Sequence, residues 1–154
     1  MTIEARLAAL GITLPPPLPP LGAYVGAVVT GDLVFLAGHG PRREDGSYPR
    51  GKVPTDVSVE EAVEAARQVG LNLLSSLEAA IGDLDRVECF VKVLGMVNAE
   101  PDFRHHPRVM DGFSNLMIDI FGEPGRCARS AVGMGSLPNQ IPVEIEAVVA
   151  LKSR

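Results

Sequence analysis

The chain has 154 residues, of which 46% are hydrophobic and 21% charged, with a formal net charge of −5. Such a composition suits one domain with its own core and excludes a disordered chain. An acidic chain without Trp and with 5% aromatic residues lacks the clustered cations and stacking rings of a nucleic-acid binder, so nucleic acid is not expected as a partner.

Two cysteines, Cys89 and Cys127, stand in no metal-ligand spacing and read as reduced, buried thiols. The start, Met1 to Arg6, has no signal-peptide pattern, and no apolar run approaches the ~20 residues of a membrane span. A cytoplasmic protein with no membrane association is the expectation.

Ile3 to Leu10 reads as a short helix stopped by Gly11, and Pro15 to Pro20 as a stiff, extended lead-in. Residues 1–20 therefore form an arm and 21–154 the domain. Tyr24 to Val29 and Leu33 to Ala37 flank Thr30-Gly31-Asp32, which predicts a β-hairpin. Pro41 to Pro54 is a polar loop. Ser58-Val59-Glu60-Glu61 matches the capping box, and Val63, Ala66, Gly70, Leu73, Leu74, Leu77 and Ile81 form a helical stripe that Gly82 ends.

Val87, Cys89, Val91 and Val93 alternate with Glu88, Phe90, Lys92 and Leu94, the period of a strand. Pro107 suits a first helical turn, and Val109, Met110, Phe113, Leu116, Met117, Ile120 and Phe121 make a second stripe up to Gly122. Cys127 to Met134 and Val143 to Leu151 complete the pattern as strands four and five. The order β-β-α-β-α-β-β predicts an α+β fold: one mixed sheet with two helices on one face. On the last strand Val143, Ile145, Ala147, Val149 and Leu151 point one way and Glu144, Glu146, Val148 and Ala150 the other. A face half apolar and half acidic favours burial between subunits.

Three stretches carry a resemblance: Ala128-Arg129-Ser130-Ala131-Val132, Leu137-Pro138, and Val143-Glu144-Ile145-Glu146-Ala147. With Gly22-Ala23-Tyr24-Val25 and Ala37-Gly38-His39-Gly40-Pro41, they resemble the RidA/YjgF family of enamine and imine deaminases, in a divergent branch described as endoribonuclease L-PSP-like. The likeness runs from Leu21 to Leu151. It implies a chorismate-mutase-like homotrimer with sites at the subunit interfaces.

It also implies a reaction, the hydrolysis of reactive 2-enamine or 2-imine acids to 2-keto acids and ammonia, as control of metabolite damage. By the same resemblance Arg129 grips the substrate carboxylate and Glu144 helps to activate water. Tyr24 borders the pocket, and backbone groups around Gly38 polarise the imine. His39 stands where the family often has Gln, and Ala131 where many members have Cys. The implied partners are a small carboxylated metabolite and two sister subunits, with no metal or cofactor.

Physical chemistry favours these roles, because a guanidinium is a permanently charged fork for carboxylates and a nearby carboxylate can act as general base. Two other functions stand beside this one. The first is a non-catalytic trimer that binds carboxylated metabolites in the same clefts. The second is an endoribonuclease, for which a convergent pair of His is missing. Structural readings are an interface ion pair of Arg129 with Glu144, a pairing role for Glu146 and a packing role for Tyr24. His105-His106 reads as an exposed helix start, Arg42-Arg43 with Arg50-Gly51-Lys52 as a solvated basic loop, and Gly38-His39-Gly40 as a turn rather than a phosphate loop.

Overall fold

The computed structural model describes residues 1–153. In chain order the elements are α1 (Ile3–Ala9), β1 (Ala27–Thr30), β2 (Leu33–His39), α2 (Val59–Ile81), β3 (Val87–Asn98), α3 (His106–Phe121), β4 (Ala128–Met134) and β5 (Val143–Leu151). The strands form one sheet in the order β1-β2-β5-β3-β4. All neighbours are antiparallel except β3 and β4, so the sheet is mixed.

Local chemistry explains the helix ends. Ser58 Oγ accepts from the Glu61 amide while the Glu61 carboxylate accepts from the Ser58 amide, so two donors of the first turn of α2 are satisfied. Those hydrogen bonds hold the Glu61 carboxyl below its ordinary pKa. Gly82, in the left-handed conformation at φ 83°, closes the helix. The core lies between the sheet and the pair α2 and α3, where Leu73, Leu77, Val93, Phe113, Met117 and Ile145 are all fully buried. At the N-terminus, α1 buries Leu7, and its first amide donates to Asp85 Oδ1 at 2.8 Å.

Bulges set the phase of the sheet. On β3 one extra residue lies between Val87 and Cys89 and another between Phe90 and Lys92, opposite a regular β5. The simple alternation expected for this strand is therefore corrected: Phe90 and Val93 are buried, while Val91 is 40% exposed. A third bulge, on β2 between Leu36 and His39, sets Gly38 beside the last strand. The first strand is shorter than expected and begins at Ala27, which leaves Tyr24 in an irregular bend, 50% exposed. Cys89 and Cys127 are free thiols, as expected, but half-buried rather than buried.

The helix-free face of the sheet carries Val28, Phe35 and Val132, at 51%, 47% and 38% exposure, a hydrophobic surface without cover in the single chain. No helix among the described residues is long and apolar enough to cross a membrane.

The approach of α3 to α2 depends on Gly112, where a Cβ would collide with the backbone carbonyl of Val63. Helix propensity alone would make Gly112→Ala stabilising by about 1 kcal/mol, whereas forced separation of packed helices costs about 1–3 kcal/mol. A lower denaturation midpoint at matched protein concentration is the expected result, and an unchanged or higher midpoint would contradict this packing.

Candidate functional site

Glu144 is the centre of the helix-free side. Alternation along β5 turns Val143 and Ile145 into the core and Glu144 and Glu146 away from it. The bulge on β2 brings Gly38 across from the Glu144 carboxyl, and a Cβ there would lie 3.0 Å from both Cδ and Oε1. Glycine at 38 thus makes the room that the carboxylate occupies. Burial, then the neighbouring Glu146 carboxylate, raises the Glu144 pKa above its ordinary value.

A cavity of about 620 Å³ opens over this carboxylate. Tyr24, Gly38, His39 and Glu146 line it with Glu144, so four of the six residues predicted for the site do converge. Tyr24 Oη accepts from the Leu21 amide at 3.2 Å and keeps its own proton for another acceptor. The His39 Nδ1 lies 2.6 Å from the Ala37 carbonyl, which can only accept, so Nδ1 carries the proton. The other ring nitrogen then accepts from Ser76 Oγ at 2.8 Å. Burial lowers the His39 pKa, and the imidazole contributes a neutral wall with both nitrogens engaged.

Sequence reasoning missed other walls of this cavity. Pro19 and Pro20 of the lead-in lie along it, as do Tyr48 from the polar loop and Asn139. A rigid arm was legible in the prolines, but not where it rests. Asn139 and Gln140 both adopt positive φ, 55° and 56°, in the turn after Leu137-Pro138. Non-glycine residues in that region are uncommon and cluster at functional sites.

Arg129 and Ala131 do not line the cavity. Register pairs Val93 with Arg129 on one side and with Ala147 on the other, so the arginine shares the helix side of the sheet. Its Nη1 donates to Asp111 Oδ1 at 2.9 Å and to Ser114 Oγ at 3.0 Å, and its Nη2 to the Pro107 carbonyl at 3.3 Å, all on α3. The side chain is 21% exposed. An ion pair of Arg129 with Glu144 does not form within the chain, because the pleat directs them to opposite faces; the arginine's partner is Asp111.

The remaining sequence candidates take structural places. Lys52 Nζ donates to Asn98 Oδ1 and to the Gly135 carbonyl, tying the basic loop to the end of β3. His105 precedes α3 and His106 begins it, both edge-on to Phe103. A larger, more open groove of about 690 Å³ runs between α2 and the loop, with Glu60, Glu61 and Glu64 facing Arg43 and Arg50. Its carboxylates sit on the exposed side of α2, and Glu61 is engaged in capping, so the Glu144 cavity is the better candidate despite its smaller size.

Fold and cavity together define a protein of the chorismate-mutase-like class. The family model described as "YjgF/chorismate_mutase-like, putative endoribonuclease" matches residues 4–144, and the chain belongs to that family. It is 38% identical to Protein TCP17 of Trypanosoma cruzi, over 98% of this chain and 95% of that protein. The 2-iminobutanoate/2-iminopropanoate deaminase of Dermatophagoides farinae is 27% identical over 86% of this chain and 89% of its own. Among solved structures, Atu1372 of Agrobacterium tumefaciens superposes with a TM-score of 0.88 at 39% identity, covering 98% of this chain and 94% of that one.

His39 gives a pH signature. Its folded pKa lies below the unfolded value near 6.5, so in that window the unfolded chain binds a proton that the folded chain resists, and stability falls as pH falls. Thermal melts from pH 7.5 to 5.5 are expected to show a slope of at most about 1.4 kcal/mol per pH unit from this group. His39→Gln should flatten it; an identical slope in the variant would contradict a neutral buried imidazole.

Proposed function

We propose that the protein hydrolyses small 2-imino acids to 2-keto acids and ammonia, at sites built where copies of a homotrimer meet. The observation that carries this reading is the half-buried Glu144 carboxyl, its pKa held above the ordinary value, in a cavity beside Gly38 and Tyr24. Two further facts support it: the named deaminase among the relatives, and the uncovered apolar face around Phe35 that a second copy would bury.

In this mechanism Arg129 of one copy grips the carboxylate and the Glu144 cavity of its neighbour receives the imine. A carboxylate with a raised pKa is a stronger base than an ordinary one, matched to deprotonating water as the oxygen attacks. The water oxygen bonds to the imine carbon, the C=N π pair moves to nitrogen, and the proton held by Glu144 goes to that nitrogen. The carbinolamine then passes its hydroxyl proton to the nitrogen, the C–N bond breaks to release ammonia, and the C–O bond becomes the keto carbonyl. Orientation by the guanidinium keeps the imine carbon against Glu144 rather than against the apolar walls.

Metabolite binding without turnover is the competing outcome. Endoribonuclease action has less support, because the net charge of −5 and a cavity with two glutamates repel a polyanion.

The test generates 2-aminoacrylate from serine with a dehydratase and follows pyruvate release. Acceleration is expected in the wild type, with kcat reduced about 10²–10⁴-fold in Glu144→Gln and KM raised in Arg129→Ala. No acceleration across several imino acids would reject hydrolysis. The acid limb of kcat/KM should lie above the ordinary glutamate range and shift to lower pH in Glu146→Gln, since that change removes the repulsion acting on Glu144. A limb that stays in place would contradict the role of the pair.

A further inference from the structure

Arg129 is held on three sides before any ligand arrives. A guanidinium has five N–H donors. Both Nη1 protons go to Asp111 and Ser114 and one Nη2 proton to the Pro107 carbonyl. That leaves Nε–H and one Nη2–H without a partner among the described residues, so the guanidinium still has two donors to offer a carboxylate. Ser114 and the Pro107 carbonyl are neutral and only orient the fork. Asp111 also brings a full negative charge, at 2.9 Å from Nη1.

This charge changes what the fork can bind. An Arg129–Asp111 pair has no net charge, so a ligand carboxylate meets two good hydrogen bonds with a carboxylate close behind them. Around the proposed imine position stand Glu144 and Glu146, and the only imidazole there, His39, has both nitrogens engaged. None of the cavity-lining side chains is cationic. A ligand that is only an anion brings surplus negative charge to this environment. A ligand whose carboxylate is accompanied by a protonated nitrogen does not.

We propose that Asp111 is a specificity-determining residue that tunes the Arg129 fork to zwitterions, so that the iminium acid binds well and the keto acid leaves. This inference rests on the reading of Arg129 as the carboxylate grip. The chemistry makes the distinction useful. An iminium carboxylate is neutral overall; addition of one water yields a keto-acid anion and an ammonium ion, so the charge balances but the positive nitrogen departs from the ligand. Asp111 then repels the product more than the substrate. A site with a bare arginine would retain the anion and suffer product inhibition.

Asp111→Asn separates charge from geometry, since the amide oxygen can still accept from Nη1 and the side chain, 55% exposed, has room to adjust. Calorimetry at low salt with two ligands of the same carbon chain, anionic 2-oxobutanoate and zwitterionic 2-aminobutanoate, reads the effect, each variant being compared with the wild type on the same ligand. In the full-length assembly Asp111→Asn should tighten 2-oxobutanoate about tenfold and change 2-aminobutanoate by no more than about twofold, as expected for one like charge removed at close range. Equal changes for both ligands, no change, or weaker binding of the keto acid would overturn the proposal. Arg129→Ala run in parallel separates the two ideas. Loss of both ligands in that variant, with an unaltered preference in Asp111→Asn, removes the role of Asp111 and keeps the grip; unaltered binding in Arg129→Ala removes the grip itself.

Discussion

The pleat of three adjacent strands governs what this chain can do alone. Where β3 runs between β4 and β5, Val93 stands beside Arg129 and Ala147, and Met96 beside Val132 and Glu144. Side chains of paired residues share a face, and faces alternate along a strand. The arginine is thus committed to the side that α3 covers, and the glutamate to the side without helices. In the chain the guanidinium is held against α3 while the Glu144 carboxylate faces the cavity on the opposite side, with β3 between their strands. Any chemistry that needs both groups on one small molecule draws them from different copies, and the uncovered apolar face around Phe35 offers the surface for such an assembly.

Electrostatics divides the two halves in the same manner. On the helix-free side, burial and Glu146 hold the Glu144 carboxyl toward its protonated form, and the ring of His39 remains neutral between Ala37 and Ser76. On the helix side the guanidinium is already matched by Asp111. Neither half is a strong electrostatic trap by itself. An assembled cleft would discriminate by the placement of charge within a ligand rather than by its total charge, in keeping with a reaction that removes a positive nitrogen from a carboxylic acid.

Much of this was legible in the amino-acid order because it depends on local chemistry. The capping box at Ser58, the helix stops at Gly82 and Gly122 and the alternation of β5 each need only a few neighbouring residues, and they fold as the patterns predict. Glu144, Gly38, His39 and Tyr24 do meet in one cavity. What escaped the sequence depends on distant contacts. The bulges in β2 and β3 arise from pairing across the sheet, so neither the burial of Phe90 nor the opening at Gly38 follows from periodicity. Asp111 and Ser114 sit on the partly exposed side of α3, where their types give no hint of an arginine that approaches from a strand eighteen residues later. The rest of the Pro-rich arm on the cavity is equally a tertiary fact.

The most direct test mixes two defective chains. Arg129→Ala and Glu144→Gln are each expected to lose activity, but when coexpressed they should form mixed assemblies in which some clefts pair an intact arginine with an intact glutamate. If each cleft takes one residue from each of two neighbours, random mixing returns about a quarter of the wild-type rate on 2-imino acids. A coexpressed sample no more active than the separate variants would show that the two groups do not meet between copies, and would contradict the account at its foundation.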